Sequence, residues 1–123
     1  MTTTANPPYR IRQVDLSDLA LLKEIMNKKQ KKADFKHMPF LILIQNDRIA
    51  AFSSVTISDQ HDLGVEISYD DTIPDTLSQA FSDKVQSFFD QQLIAMFGSK
   101  ESLKRGVSRF SDWINQNGNS KLA

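Results

Sequence analysis

The stretch FLILIQNDRIAAFSSVTI, residues Phe40 to Ile57, decides the fold of this chain. Two apolar runs rich in β-branched residues flank Asn46-Asp47. Asn and Asp tolerate positive φ, so a tight two-residue turn is expected between the runs. Counting outward from that turn predicts the cross-strand pairs Gln45 with Arg48, Ile44 with Ile49, Leu43 with Ala50, Ile42 with Ala51 and Leu41 with Phe52.

Both faces of the predicted hairpin are apolar. Because strand side chains alternate, the residues divide into two sets: Ile42, Ile44 and Ile49 on one face, and Leu41, Leu43 and Phe52 on the other. A sheet with one face in water alternates apolar and polar residues instead. We therefore expect the hairpin in the middle of a sheet, covered on both faces by helices or a second subunit. Few helices are available for this, which predicts a homodimer.

Composition narrows the class of protein. The chain has 123 residues and no cysteine, and its 15 basic residues balance its 15 acidic ones. That length suits one domain, predicted over residues 9–118 between a disordered tail at 1–8 and a polar tail at 119–123. The neutral balance makes nucleic acid an unlikely partner, because nucleic-acid binders are usually basic. No apolar run approaches the ~20 residues of a membrane span, and MTTTANPP lacks the features of a secretory signal, so a cytoplasmic protein is expected.

The segment before the hairpin predicts a strand and a helix. YRIRQV, residues 9–14, alternates as an edge strand does. Asp15 is a good N-cap for a helix reaching about Lys29, with an apolar stripe at helical spacing: Leu16, Leu19, Leu22, Ile25 and Met26. Residues 33–39 form a connection or a short second helix, and Pro39 opens the hairpin.

The segment after the hairpin predicts one strand and more helices. Leu63 to Tyr69 alternates, which predicts a strand more peripheral than the hairpin with one face in water, and a helix begins at Pro74. The apolar stripe of that helix is Leu77, Phe81, Val85 and Phe88, extended by Phe89, Leu93 and Met96. Residues 93–97 fit a helix end or another strand, and Gly98 ends them. Ser99 caps a last helix whose C′ residue is Gly118. The whole is α+β, with helices packed on a largely antiparallel central sheet.

The order of elements resembles that of the GNAT-type N-acyltransferase superfamily. YRIRQVDLSDLALLKEIM resembles its first strand and helix, FLILIQNDRIAAFSSVTI its second and third strands, and LGVEISYDD its fourth. The resemblance implies acetyl-coenzyme A as cofactor. It places Val65, Ile67 and Tyr69 beside the thioester, with Thr72 and Ile73 facing the phosphates. It also makes Glu66 and Tyr69 the candidate catalytic residues, since some members use a strand carboxylate as general base.

The sequence departs from that family at the expected phosphate-binding turn. Family members place a glycine-rich turn there, because glycine lets backbone N–H groups approach an anion. Residues 70–77, DDTIPDTL, contain no glycine and no basic residue, and three aspartates would repel phosphate. The leading hypothesis is therefore a small non-catalytic binding or assembly domain of acyltransferase-like shape, without a cofactor. The alternative is an atypical acyl-CoA-dependent N-acyltransferase.

Few residues support other chemistry. With only His37 and His61, one chain cannot assemble a multi-histidine zinc site, and no metal is predicted. Asp59, His61 and Asp62 indicate a solvated polar turn. Asp70, Asp71 and Asp75 suit a helix N-terminus better than a divalent cation site.

Two basic groups remain. The first lies at Lys28, Lys29, Lys31, Lys32, Lys36 and His37, and it fits a solvated helix end or, as a weaker alternative, an adaptor for nucleic acid or an acidic protein. The second, on the polar side of the last helix, is Lys100, Lys104, Arg105 and Arg109, which indicates a solvated face. Within that helix Gly106 costs stability unless another backbone packs close to it, so a helix–helix contact, within or between chains, is expected there.

Overall fold

The computed structural model describes residues 9–28, 36–70 and 72–120, with the backbone alone for 26–28 and 115–120. The strands are β1 (Tyr9–Gln13), β2 (Lys36–Gln45), β3 (Arg48–Ile57) and β4 (Leu63–Tyr69). The helices are α1 (Leu19–Lys28), α2 (Asp75–Phe88), α3 (Ile94–Phe97) and α4 (Lys100–Ser120), with a 3-10 turn at Leu16–Asp18 and a π-helical turn at Phe89–Leu93. The predicted α+β class is confirmed. The predicted tail at 1–8 and the segment 29–35 lie outside the described residues. Of the predicted polar tail at 119–123, residues 119–120 belong to α4 and residues 121–123 lie outside the described residues.

The four strands form one antiparallel sheet in the order β1-β2-β3-β4. The hairpin β2–β3 occupies the middle, as predicted. Asn46 and Asp47 have φ of 56° and 59°, the left-handed values that a tight hairpin turn requires. The peripheral position predicted for Leu63–Tyr69 is also confirmed, since β4 is an edge strand, although residues on both of its faces are half-buried.

The predicted register is right beside the turn and wrong further along. Ile44 pairs with Ile49 as expected, but Leu43 pairs with Ala51 because Ala50 is an extra residue on β3. This bulge shifts the next pairs by one: Ile42 pairs with Phe52, and Leu41 with Ser53. Phe52 therefore shares a face with Ile42, the opposite of the predicted assignment.

Pro39 does not open the hairpin. The strand β2 begins at Lys36, and Pro39 lies inside it, opposite Ser54. A second bulge follows at once, because Phe40 lies between Pro39 and Leu41 while their partners on β3 are adjacent. Proline is tolerated within sheets at such irregular positions, since it lacks the N–H of a regular ladder.

Each face of the sheet carries its own core. On one face α1 supplies Leu22, which packs with Ile42 and Phe52. On the other, the helices from α2 to α4 pack on the sheet, with these buried residues: Phe40, Leu41, Leu43, Ala50, Ala51, Val55, Phe81, Val85, Phe88, Leu93, Leu103 and Val107. Both faces are thus covered within one chain. The homodimer prediction therefore loses the uncovered face that motivated it.

The start of α1 is held by a capping box. Asp15 accepts a hydrogen bond from the Ser17 backbone (3.0 Å), and the Asp18 carboxylate accepts one from the Asp15 backbone (2.8 Å). Asp18 also accepts two bonds from Arg12, at 2.9 and 3.0 Å, and these bonds hold the pKa of Asp18 below its usual value. Leu16, predicted on the apolar stripe, is 77% exposed because the first turn is 3-10 rather than α-helical.

From Asp75 to Ser120 the chain is helical except at the Gly98-Ser99 turn. The buried stripe of α2 is confirmed, and residues 94–97 are helix rather than strand. Met96 is wrong as a stripe residue, since the π-helical turn changes the helical phase before it and leaves it 58% exposed. Gly98 ends α3 with φ of 96°. Gly118 is not a C′ residue, because α4 continues to Ser120.

Candidate functional site: a basic groove between α4 and the β3–β4 loop

An open groove of about 730 Å³ lies between α4 and the loop that joins β3 to β4. We call it the basic groove. Its lining is Lys36, Ile57, Ser58, Asp59, His61, Glu101, Lys104, Arg105, Ser108 and Arg109. The sheet supplies one wall through the paired ends of β2 and β3, where Lys36 lies opposite Ile57.

A double hydrogen bond fixes α4 beside this wall. The Ser111 hydroxyl accepts from the His37 backbone N–H and donates to the His37 carbonyl, both at 3.0 Å. Ser111 is only 3% exposed. The strand β1 pairs with β2 from Leu41 onward, so α4 takes the place of a neighbouring strand along the first residues of β2. The helix therefore presents its basic side at a fixed distance from the sheet.

The opposite wall is a loop organised by one serine. The Ser58 hydroxyl accepts from the backbone N–H groups of Gln60 (3.2 Å) and Asp62 (3.1 Å). The Ser58 carbonyl accepts from the His61 N–H at 2.9 Å, and His61 has φ of 67°. These bonds hold the loop in one shape, with Asp59 and His61 on the groove.

The groove carries more cationic than anionic charge. Lys36, Lys104, Arg105 and Arg109 line it, against Asp59 and Glu101. The ion pairs are long: 3.5 Å between Lys104 and Glu101, and 3.8 Å between Lys36 and Asp112. Exposed pairs of this kind contribute about 0–1 kcal/mol, so they yield easily to a ligand.

Both lysines of the groove form ion pairs, whereas its two arginines form none with the described residues. Arg105 donates to the neutral hydroxyl of Ser102 at 3.0 Å. Arg109 makes no hydrogen bond or ion pair with any residue in the described ranges. The two residues are one helical turn apart on α4, the spacing that brings side chains together on a helix surface. Their guanidinium groups suit carboxylate or phosphate oxygens.

The sequence identifies many of the residues that line this groove but does not predict that they come together. From sequence alone, the cations of the last helix and the polar turn at 59–62 are each interpreted as solvated surface. The structure brings Asp59 and His61 to the same groove as Lys104, Arg105 and Arg109, while Lys100 and Asp62 are not part of its lining. Lys36 joins them from the first basic group, whose residues 29–35 lie outside the described residues. These residues come together only because α4 packs on β2, and no local sequence pattern predicts that contact.

The predicted cofactor turn has a different arrangement. The Asp70 carboxylate accepts from the Thr72 N–H and from the Thr72 hydroxyl, each at 3.0 Å. The Ile73 N–H donates to the Asp70 carbonyl at 3.1 Å. Arg48 forms an ion pair with Asp70 at 2.8 Å. The N–H groups that the acyltransferase interpretation needs at Thr72 and Ile73 are therefore already bonded within the turn.

The remaining predicted site residues lie on β4. Val65, Ile67 and Tyr69 pack against the core beneath α2, and the Tyr69 hydroxyl donates to the Ser78 carbonyl at 3.3 Å. Glu66 lies on the other face of the sheet, opposite Ser54. Tyr69 and Glu66, the candidate catalytic residues, thus point to opposite faces and do not form a common site.

The described ranges offer neither a metal site nor a membrane-spanning helix. They contain no group of three or more histidine and acidic residues placed to hold a metal ion. None of their helices has the length and apolar character needed to cross a membrane. The comparisons with protein-family models, curated proteins and solved structures found no match to this chain.

Proposed function

We propose that the protein is a non-catalytic binding domain of acyltransferase-like shape, and that the basic groove takes an acidic segment of a protein partner. The observation that carries this proposal is the convergence of four cations on one groove. Lys36 belongs to the start of β2, whereas Lys104, Arg105 and Arg109 belong to α4. Although the chain has no net charge, four of its cationic side chains line this one groove.

The charge pattern of the groove favours an acidic protein segment over nucleic acid. Asp59 and Glu101 stand among the cations and would repel a continuous phosphate backbone. Among the described residues Ile57 is the only apolar side chain of the lining, and no Phe, Tyr or Trp is present there, so His61 is the single aromatic ring available to a base. A protein segment can place its carboxylates at the arginines and a basic residue at Glu101.

Fluorescence anisotropy with a labelled polyglutamate peptide tests the proposal. We expect saturable binding that weakens as salt is raised, because exposed charges are screened within about 10 Å at 0.1 M salt. The double variant Arg105→Glu with Arg109→Glu should weaken binding by on the order of tenfold or more. Both side chains are exposed, so the fold should survive.

The matched control is Arg10→Glu, an exposed arginine on β1 that does not line the groove, and it is compared with the single groove variant Arg109→Glu, which changes the net charge by the same amount. Equal losses in these two single variants would show that net charge, rather than the groove, attracts the peptide. Absence of peptide binding would overturn the proposal. Tighter binding of a single-stranded oligonucleotide, lost in the same groove variant, would replace the acidic protein with nucleic acid.

The acyltransferase alternative is favoured by the order of strands and helices, which runs strand, helix, hairpin, strand and helix. The bonded N–H groups of Thr72 and Ile73 support the non-catalytic proposal instead. Calorimetric titration with acetyl-coenzyme A separates the two. Saturable binding that is insensitive to the groove variant would favour the enzyme, with Val65, Ile67 and Tyr69 as the residues to substitute next.

A further inference from the structure

The outer edge of β4 presents a regular row of backbone hydrogen-bonding groups. Two bonds fix which residues point outward: the Asp70 N–H donates to the Ala50 carbonyl (2.8 Å), and the Ser58 N–H donates to the Asp62 carbonyl (3.0 Å). Even-numbered residues of β4 therefore direct their N–H and C=O groups toward β3. The odd-numbered residues direct theirs away from the sheet, and these are Leu63, Val65, Ile67 and Tyr69.

The two edges of the sheet are protected differently. At one edge β1 has five residues, carries Arg10 and Arg12, and follows Pro7-Pro8 in the sequence. Short length, basic residues and proline all discourage pairing with another strand. At the other edge β4 has seven residues, pairs with β3 without a bulge, and contains no proline or lysine. Its single charge is Glu66.

We propose that β4 pairs with the β4 strand of a second copy, antiparallel about a two-fold axis, to join two sheets into one. Antiparallel pairing between copies brings outward-directed residues opposite one another and satisfies their N–H and C=O groups. It also continues the apolar row of β4 from one subunit to the next. No groove-lining residue belongs to β4, so this proposal and the proposed function stand or fall separately.

The side chains select one register among three. An axis at Glu66 would put the two carboxylates opposite each other, which is unfavourable. An axis at Val65 would put Glu66 opposite the glycine at position 64 of the partner subunit, which offers no side chain. An axis at Ile67 pairs Val65 with the partner subunit's Tyr69, a favourable β-branched–aromatic pair. It also places Glu66 opposite the partner subunit's Ser68, whose hydroxyl can donate to the carboxylate.

The absence of cysteine from the chain allows a direct test. Single-cysteine variants at positions 65, 66 and 67 are treated with mild oxidant or a short bis-maleimide, with Gln13→Cys on the β1 edge as the control. We expect the wild type to be a dimer by light scattering at micromolar concentration. Cross-linking should be greatest for Ile67→Cys, because directly opposite residues lie within about 5.5 Å, the range that a disulfide spans.

A second pair of variants leaves the apolar row intact. Ser68→Glu places two carboxylates opposite Glu66 residues and should weaken the dimer by roughly tenfold, whereas Ser68→Lys should retain or strengthen it. Circular dichroism checks that both variants fold. A monomeric wild type, or cross-linking no greater than that of Gln13→Cys, would overturn the proposal. A maximum at position 65 or 66 would overturn the register.

Discussion

Gly106 allows a close contact between α3 and α4, and replacing it with alanine tests that packing. A Cβ at position 106 would lie 2.5 Å from Cε2 and 3.1 Å from Cδ2 of Phe97. The Phe97 ring is half-buried against the core and directly precedes the turn at Gly98. The ring must therefore move, and its neighbours restrict where it can go. This is the helix–helix contact that the glycine predicted.

Two opposing energies determine how much Gly106→Ala changes the free energy of unfolding. Alanine in place of glycine within a helix gains about 1 kcal/mol from helix propensity. Overpacking a contact typically costs about 1–3 kcal/mol. We expect Gly106→Ala to lower the free energy of unfolding by roughly 1 kcal/mol, or about 4 °C in melting temperature for a domain of this size.

Urea unfolding of four proteins measures this coupling: the wild type, Gly106→Ala, Phe97→Ala and the double variant. When Phe97 is already alanine, the obstruction is gone, and Gly106→Ala should raise stability by about 1 kcal/mol. The sign of the effect thus reverses with the residue at position 97. If Gly106→Ala stabilises both backgrounds equally, the close contact does not exist in solution and the reasoning is refuted.

Three further predictions concern polar side chains: a buried hydroxyl, a serine with two hydrogen bonds and a carboxylate in a charged pair. The Ser53 hydroxyl is fully buried on the α2–α4 side of the sheet and has no hydrogen-bond partner in the described ranges. In urea unfolding Ser53→Ala should therefore be neutral or raise the free energy of unfolding by about 1 kcal/mol. A decrease in that free energy would show that the hydroxyl has a partner in solution. Ser111→Ala removes both bonds to the His37 backbone and should cost about 2 kcal/mol in the same assay, whereas an unchanged midpoint would mean that α4 is held without them. The lowered pKa of Asp18 means that its contribution is complete above the ordinary aspartate pKa of about 3.9 and is lost as pH falls through the folded value. Asp18→Asn should therefore be less stable than the wild type at pH 7 by roughly 1 kcal/mol, and the two melting temperatures should converge as the pH falls through the folded pKa of Asp18; a constant difference across pH would contradict the charged pair.

Local signals predicted the elements well where one residue controls the backbone. Asn46-Asp47 fixed the hairpin turn, Asp15 the start of the α1 segment, and Gly98 the end of α3. Glycine alone was insufficient at position 118, where a cost of about 1 kcal/mol does not stop a helix that other contacts extend. Pro39 was misassigned because a bulge, which depends on the partner strand, removes the conflict between proline and a central strand.

The candidate site was harder to predict from the sequence than the helices and strands were. Periodicity assigns Arg105 and Arg109 to the polar side of a helix, but it does not say what that side faces. The answer depends on a contact between Ser111 and His37, which are 74 residues apart. A serine in an amphipathic helix is ordinary, and nothing local distinguishes one that binds a strand end from one in water.

The two bulges of the hairpin offset each other. Ala50 adds a residue to β3 and Phe40 adds one to β2, so the pairing of Lys36 with Ile57 is the one that the turn alone would give. Each bulge places two neighbouring residues of one strand opposite a single residue of the other, so it leaves the pairs on either side in register and adds a local bend and twist. Deleting Ala50 or Phe40 would therefore keep Lys36 opposite Ile57, and the His37 backbone on its side of the strand, while removing one bend from the wall of the groove.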